Sequence, residues 1–290
     1  MNFLKKIFGV SSESNESNEE ELKVENEKNF DILKYDGVKA LRIGNFGYAV
    51  ECLTRALEIK EDLEAVDYLS QAYYGLGEYS LSYQQLEKMA EAQPENVGIF
   101  LRMANVAYVM TDYVVMSAAC EKALLVDSRS SEALYLYARA CIGMEDTTNA
   151  VAMLTKAIDI DADYGEAYLL RGEVYLDSGN LDEADGDAMF LLEKFPDNEE
   201  TLLLKANVER LRKNSAAAIE YYGRVLDVNP FSKDAYKYRA ELRETVGDIE
   251  GAKDDRAHLD EILSGEDDGG KQDIEAEVKD KYNNVNPLGL

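Results

Sequence analysis

Side chains able to do chemistry are few and scattered in this sequence. His258 is its one histidine, so no histidine triad and no multi-histidine metal site can be assembled. Cys52, Cys120 and Cys141 show neither metal-ligand spacing nor close pairing. An odd, sparse set in a chain long enough for a core reads as reduced thiols packed as small hydrophobes. Residues 265–271 begin like a phosphate-binding loop. However, Gln272 stands where Ser or Thr would be needed, and Glu266, Asp267 and Asp268 would repel phosphate. Asp161, Asp163, Gly165 and Glu166 hint at a calcium loop, but the ligand register stops there, and a solvated turn is the better reading. The remaining carboxylates read as solvated charge on helix faces. No catalytic residue, cofactor site or metal site is expected.

What must position any functional surface is read from composition first. Apolar residues make up 46% of the 290, enough for a substantial core. The formal charge of −27 excludes phosphate-backbone binding, which runs on Lys and Arg clusters, and argues against docking on anionic lipid. Cationic or neutral protein partners remain. No stretch of about 18 apolar residues occurs, and Lys5 and Lys6 interrupt the apolar start instead of preceding it, unlike a secretory signal. A soluble, cytoplasmic chain is expected. With four prolines and no tryptophan, the long Ala-, Leu-, Glu- and Lys-rich stretches favour helix.

Internal repetition is the strongest signal. Ala150, Ala184, Ala218 and Ala252 recur at one constant spacing, and Ser70, Ala104, Ala138, Gly172, Ala206 and Ala240 recur at the same one. Pro94 and Pro196 lie three such spacings apart, and Pro196 and Pro230 lie one apart. Three ladders sharing a period of about 34 residues mark a stacked repeat.

The period and residue types resemble the tetratricopeptide repeat, a pair of antiparallel helices with an aromatic at position 4, Leu at 7, a small residue at 8, Tyr at 11, Gly at 15, Ala at 20 and Pro at 32. Residues 165–198 carry Tyr168, Gly172, Tyr175, Gly179, Leu181, Ala184 and Pro196 in that register. The resemblance implies an all-α fold, a right-handed α-solenoid of about seven helix-turn-helix repeats: 30–62, 63–96, 97–130, 131–164, 165–198, 199–232 and 233–263. Small residues at 8 and 20 let the two helices of a repeat cross closely. Gly at 15 takes the left-handed backbone that ends the first helix, and Pro at 32 separates repeats. Glu145 with Thr147, and Lys213 with Ser215, depart from the pattern and predict loosened turns. Met116 at the small position 20 and Cys120 at the bulky position 24 predict a volume-conserving exchange.

The flanks read differently. Residues 1–8 form a short amphipathic segment, 9–28 an acidic disordered tether, 264–270 a flexible linker, 271–282 a capping helix with Ile274, Val278 and Tyr282 on one stripe, and 283–290 a frayed tail.

In the tetratricopeptide family the first helix of each repeat lines a concave face. Carried over, that lining includes Lys34, Gln71, Tyr74, Leu101, Asn105, Tyr108, Tyr135, Arg139, Ile142, Leu169, Glu173, Leu176, Leu203, Asn207 and Arg210. Tyr and Arg are enriched at binding hot spots, and Asn105, Arg139 and Asn207 have groups that can bond a peptide backbone or carboxylate. One subfamily clamps a C-terminal carboxylate with Lys and Asn donors. Lys34 and Arg102 match it, but Val38, Tyr68 and Gly98 do not, which argues against that ligand. The expected function is a non-catalytic scaffold or adaptor holding a partner's peptide segment, as an assembly factor or co-chaperone. A structural oligomerisation module acting by self-association is the alternative.

Overall fold

The computed structural model describes residues 4–267. Among these residues there are fourteen helices and no strand, and the chain divides between Ser128 and Arg129 into two compact units. Unit 1 contains α1 (Leu4–Arg42), α2 (Phe46–Ile59), α3 (Leu63–Gly75), α4 (Tyr79–Ala92), α5 (Val97–Val109) and α6 (Tyr113–Val126). Unit 2 contains α7 (Ser131–Gly143), α8 (Thr147–Ile160), α9 (Gly165–Asp177), α10 (Leu181–Lys194), α11 (Glu199–Leu211), α12 (Ser215–Val228), α13 (Lys233–Thr245) and α14 (Ile249–Asp267). Each unit is a solenoid of helical hairpins: an odd-numbered helix packs on the even-numbered helix after it, and that helix packs on the next hairpin. From α3 to α13 each leading helix begins one sequence period after the one before.

Local chemistry explains the helix limits. Asp62, Asp112, Ser130, Asp146 and Asn198 each accept a hydrogen bond from a backbone N–H in the first turn of the helix that follows. Pro94, Pro196 and Pro230 fall in the connections between hairpins.

The turn inside every hairpin uses one geometry. Its fifteenth residue has positive φ in all seven hairpins: Gly44, Gly77, Thr111, Glu145, Gly179, Lys213 and Gly247. Glu145 N–H donates to Ile142 and Asp146 N–H to Cys141, as Gly77 and Glu78 do to Tyr74 and Tyr73. The turns at Glu145 and Lys213 are therefore as tight as the glycine ones, which corrects the expectation of loosened turns. Two backbone hydrogen bonds hold a left-handed conformation that costs a side-chain-bearing residue about 1–2 kcal/mol.

Both small-residue ladders are buried: Ala104, Ala138, Ala150, Ala184, Ala206 and Ala218 expose nothing. At Gly172 a β-carbon would lie 2.6 Å from Leu204 Cδ2, so any side chain there would force Leu204 to shift. Met116 and Cys120 are both fully buried, as a large–small exchange requires.

The flanks need correction. Residues 9–28 are not a separate tether but part of α1, which the buried Phe30 anchors. Their composition offers little to nucleate a helix, but a helix anchored at Phe30 propagates outward at one hydrogen bond per residue, without a new nucleation cost. Likewise the flexible linker expected at 264–270 is helical through Asp267, because α14 continues with no proline to stop it. The capping helix at 271–282, the tail at 283–290 and residues 1–3 lie outside the described residues.

Candidate protein-binding surface

In unit 1 two cations, Lys34 and Arg102, are occupied. Lys34 Nζ bonds Asp62 at 2.9 Å and Glu64 at 2.6 Å, and Arg102 bonds Asp67 and the Ser70 hydroxyl. The two residues matching the carboxylate clamp are thus held by the protein's own acids. Leu101 and Asn105 are half-buried on α5, and Tyr108 is exposed, with its ring centroid 6.3 Å from Tyr113 across the turn.

In unit 2 the lining residues are likewise half-buried to exposed. Tyr135, Arg139 and Ile142 follow one another at i, i+4, i+7 on α7, and Leu169, Glu173 and Leu176 do the same on α9. Leu203, Asn207 and Arg210 repeat the spacing on α11, which packs beside α9. The Arg139 guanidinium lies 5.9 Å from the Tyr135 ring, and that ring tilts against Tyr164 at 5.4 Å, tying α7 to the entry of α9. Burial, then the neighbouring Tyr135, pushes the Tyr164 hydroxyl above its ordinary pKa, so it stays protonated.

Asn207 and Arg210 are already engaged. The fully buried Tyr222 donates its hydroxyl proton to Asn207 Oδ1 at 2.7 Å, and Arg210 Nε donates to the same hydroxyl at 3.2 Å. The Arg210 cation also sits 4.3 Å from the Tyr238 ring. Burial pushes the Tyr222 hydroxyl up to about 12. These two residues brace the wall at α11, α12 and α13.

Glu173 is the electrostatic exception. Its carboxyl is held above the ordinary range, first by loss of solvent around it and then by the like charges of Glu200 and Asp177.

One set of residues the sequence reading missed lies beneath this face. Position 7, where the repeat pattern has Leu, holds Arg171, Lys205 and Arg239 in unit 2. Arg171 grips Asp187 through two nitrogens at 2.9 and 2.6 Å and donates a third bond to Thr155, joining α8, α9 and α10. Lys205 bridges Asp185 and Glu209, and Arg239 with Arg243 converges on Asp255. Asp187, Glu209 and Asp255 are buried, so these carboxylates are not the solvated charge expected of them. The signal was available: Arg171, Lys205 and Arg239 are themselves spaced by the repeat period, and both arginines have an Asp sixteen residues on.

The groups with catalytic potential have structural surroundings. All three cysteines are buried and unbridged. The His258 Nδ1 contacts the Asp254 carbonyl at 2.8 Å while its ring stacks on Tyr236. Asp163 pairs with Lys194, and no cluster of three or more His, Cys, Asp or Glu fit for a metal occurs among the described residues. Among them, too, no helix is long and apolar enough to cross a membrane.

Comparison with known proteins agrees with this architecture. A family model described as tetratricopeptide repeat matches residues 142–185. The fold is also that of a tetratricopeptide repeat protein from Parabacteroides merdae, with a TM-score of 0.64 at 15% identity over 86% of this chain and 97% of that one. The chain has the tetratricopeptide repeat fold. Repeats of this kind are generally interaction modules rather than enzymes. The array is also similar to YrrB, described as a tetratricopeptide protein with an unusual peptide-binding site, at TM-score 0.52 and 18% identity over 61% of this chain and 91% of that one. Among curated proteins it is similar to human DnaJ homolog subfamily C member 3, 30% identical over 142 residues, which is 41% of this chain. The match spans only 28% of that relative's length.

Proposed function

We propose that this protein is an interaction scaffold whose unit 2 holds an extended or helical segment of another protein against the face of α7, α9 and α11. The observation that carries the reading is the repeated half-exposed stripe on consecutive leading helices: Tyr135, Arg139 and Ile142, then Leu169 and Leu176, then Leu203. Apolar and aromatic groups provide contact area, and Arg139 and Glu173 provide charged contacts that fix register. The likenesses to a peptide-binding tetratricopeptide protein and to a DnaJ homolog support a role as an assembly factor or co-chaperone. Leu101, Asn105 and Tyr108 form the equivalent stripe of unit 1 and serve as a secondary contact. Three buried free thiols support a reducing, cytoplasmic setting, and the net charge of −27 supports protein rather than nucleic-acid partners.

The test is affinity capture with mass spectrometry, comparing wild type with Arg139→Glu combined with Ile142→Ala. Partners should be lost from the double variant while its circular dichroism stays unchanged. An identical partner set would place the contact elsewhere.

A further inference from the structure

The face shared by α9 and α11 carries a charge pattern that its own helices do not explain. At one end, a cavity of about 270 Å³ is floored by Leu169, Leu191 and Phe195 and rimmed by Glu166 and Glu200. Phe195 is half exposed there, a large ring left in water. Further along α9 stand Glu173 and, as its last residue, Asp177. Glu166 and Glu200 lie in first turns, where the helix dipole favours an anion, but Glu173 and Asp177 lie toward the C-terminal end, where it opposes one. Among the described residues no Lys or Arg pairs with any of these four carboxylates, although nearby Asp163, Asp185 and Asp187 each have a cation. Loss of solvent, then the charges of Glu200 and Asp177, raise the pKa of the Glu173 carboxyl. An apolar floor with uncompensated negative charge around it complements a group that is both greasy and cationic.

We propose that this face takes a lysine- or arginine-bearing amphipathic segment of a partner protein, its apolar side chain entering the cavity over Leu169, Leu191 and Phe195 and its cations meeting Glu166, Glu173 and Glu200. The proposal rests on the binding-surface reading above and adds the chemistry of the ligand. The corresponding positions of α5, Gly98, Leu101, Asn105 and Tyr108, hold no carboxylate, so that helix does not share the preference.

The experiment pans a phage library of random dodecapeptides against the full-length protein and measures the enriched peptides by fluorescence anisotropy. Binding is compared among wild type, Glu166→Gln with Glu200→Gln, Leu169→Ala, and Glu91→Gln with Glu95→Gln, which removes equal charge from unit 1. Enriched peptides should carry net positive charge with Leu, Ile or Phe, and should weaken about tenfold with the Glu166/Glu200 variant and with added salt but not with the Glu91/Glu95 variant. Neutral or acidic peptides that weaken with Leu169→Ala yet ignore the carboxylate changes would overturn the charge assignment and leave the surface standing. Peptides insensitive to Leu169→Ala, to the Glu166/Glu200 variant and to the Arg139/Ile142 variant above would remove both. Concentration-dependent self-association abolished by the Glu166/Glu200 variant would assign the face to a second copy and overturn the proposal.

Discussion

At the seventh position of their hairpins the two units bury different chemistry. The second and third hairpins of unit 1 place Leu69 and Met103 there, at 4% and 1% exposure, while the last three hairpins of unit 2 place Arg171, Lys205 and Arg239 against Asp187, Glu209 and Asp255. Both solutions fill the space beside the helix crossing. The apolar one gains from burial of side-chain surface and tolerates a change of shape. The ionic one has directional demands, since Arg171 on α9 reaches α8 and α10 at once and loses a partner if either slides. Unit 1 ties its leading helices through Lys34 and Arg102, whereas unit 2 adds ion pairs at the seventh position. The difference teaches that an ion pair at this position sets a direction between neighbouring helices that an apolar side chain there does not.

The largest expected effect comes from breaking one ion pair. Asp187→Ala leaves the Arg171 guanidinium largely buried and unpaired and should cost about 3–5 kcal/mol in urea unfolding. Replacing both, Arg171→Leu with Asp187→Leu, restores the unit 1 solution and should recover most of that loss. A double variant as unstable as the single would show that the pair does more than fill and neutralise its site. Gly172→Ala follows, costing about 1–3 kcal/mol as its methyl meets Leu204. Next is Lys213→Gly, which relieves a left-handed residue with φ of 64° and should stabilise unit 2 by about 1 kcal/mol, read as a raised denaturation midpoint.

The smallest difference is in acid. Asp185 and Glu209 are depressed in the folded state despite burial, through their bonds to Lys205 and, respectively, Arg212 and Asn214. A carboxylate with a lowered folded pKa contributes stability that is complete above its unfolded value, about 4, and is lost as pH falls through the folded one. Melting of unit 2 followed between about pH 5 and 2 should therefore steepen below about pH 4. Lys205→Met should flatten that slope by removing the cation both carboxylates share.

Much of the fold is legible in the residues alone. The alanine, glycine and proline ladders specify hairpins of one fixed length because small residues at crossings and breakers between repeats leave little alternative. The ion pairs are not legible in the same way. An arginine in a Leu position looks like a surface substitution until its carboxylate, sixteen residues away on the facing helix, is placed beside it. Glu145 and Lys213 mislead for another reason: composition alone points away from a left-handed turn, and backbone hydrogen bonds override it. The start of α1 shows the same limit, since residues that would not nucleate a helix extend one already anchored at Phe30. Of the expected binding residues, Asn207 and Arg210 become recognisable as internal braces only with Tyr222 and Tyr238 in view.

Hydrogen–deuterium exchange on the full-length protein, with and without a captured partner segment, tests the central claim most directly. Slowed exchange in peptides from α7, α9 and α11 and at the end of α10 that carries Leu191, with α8 and α12 unchanged, is the predicted result. Protection confined to the trailing helices, or to unit 1, would contradict a ligand surface built from the leading helices of unit 2.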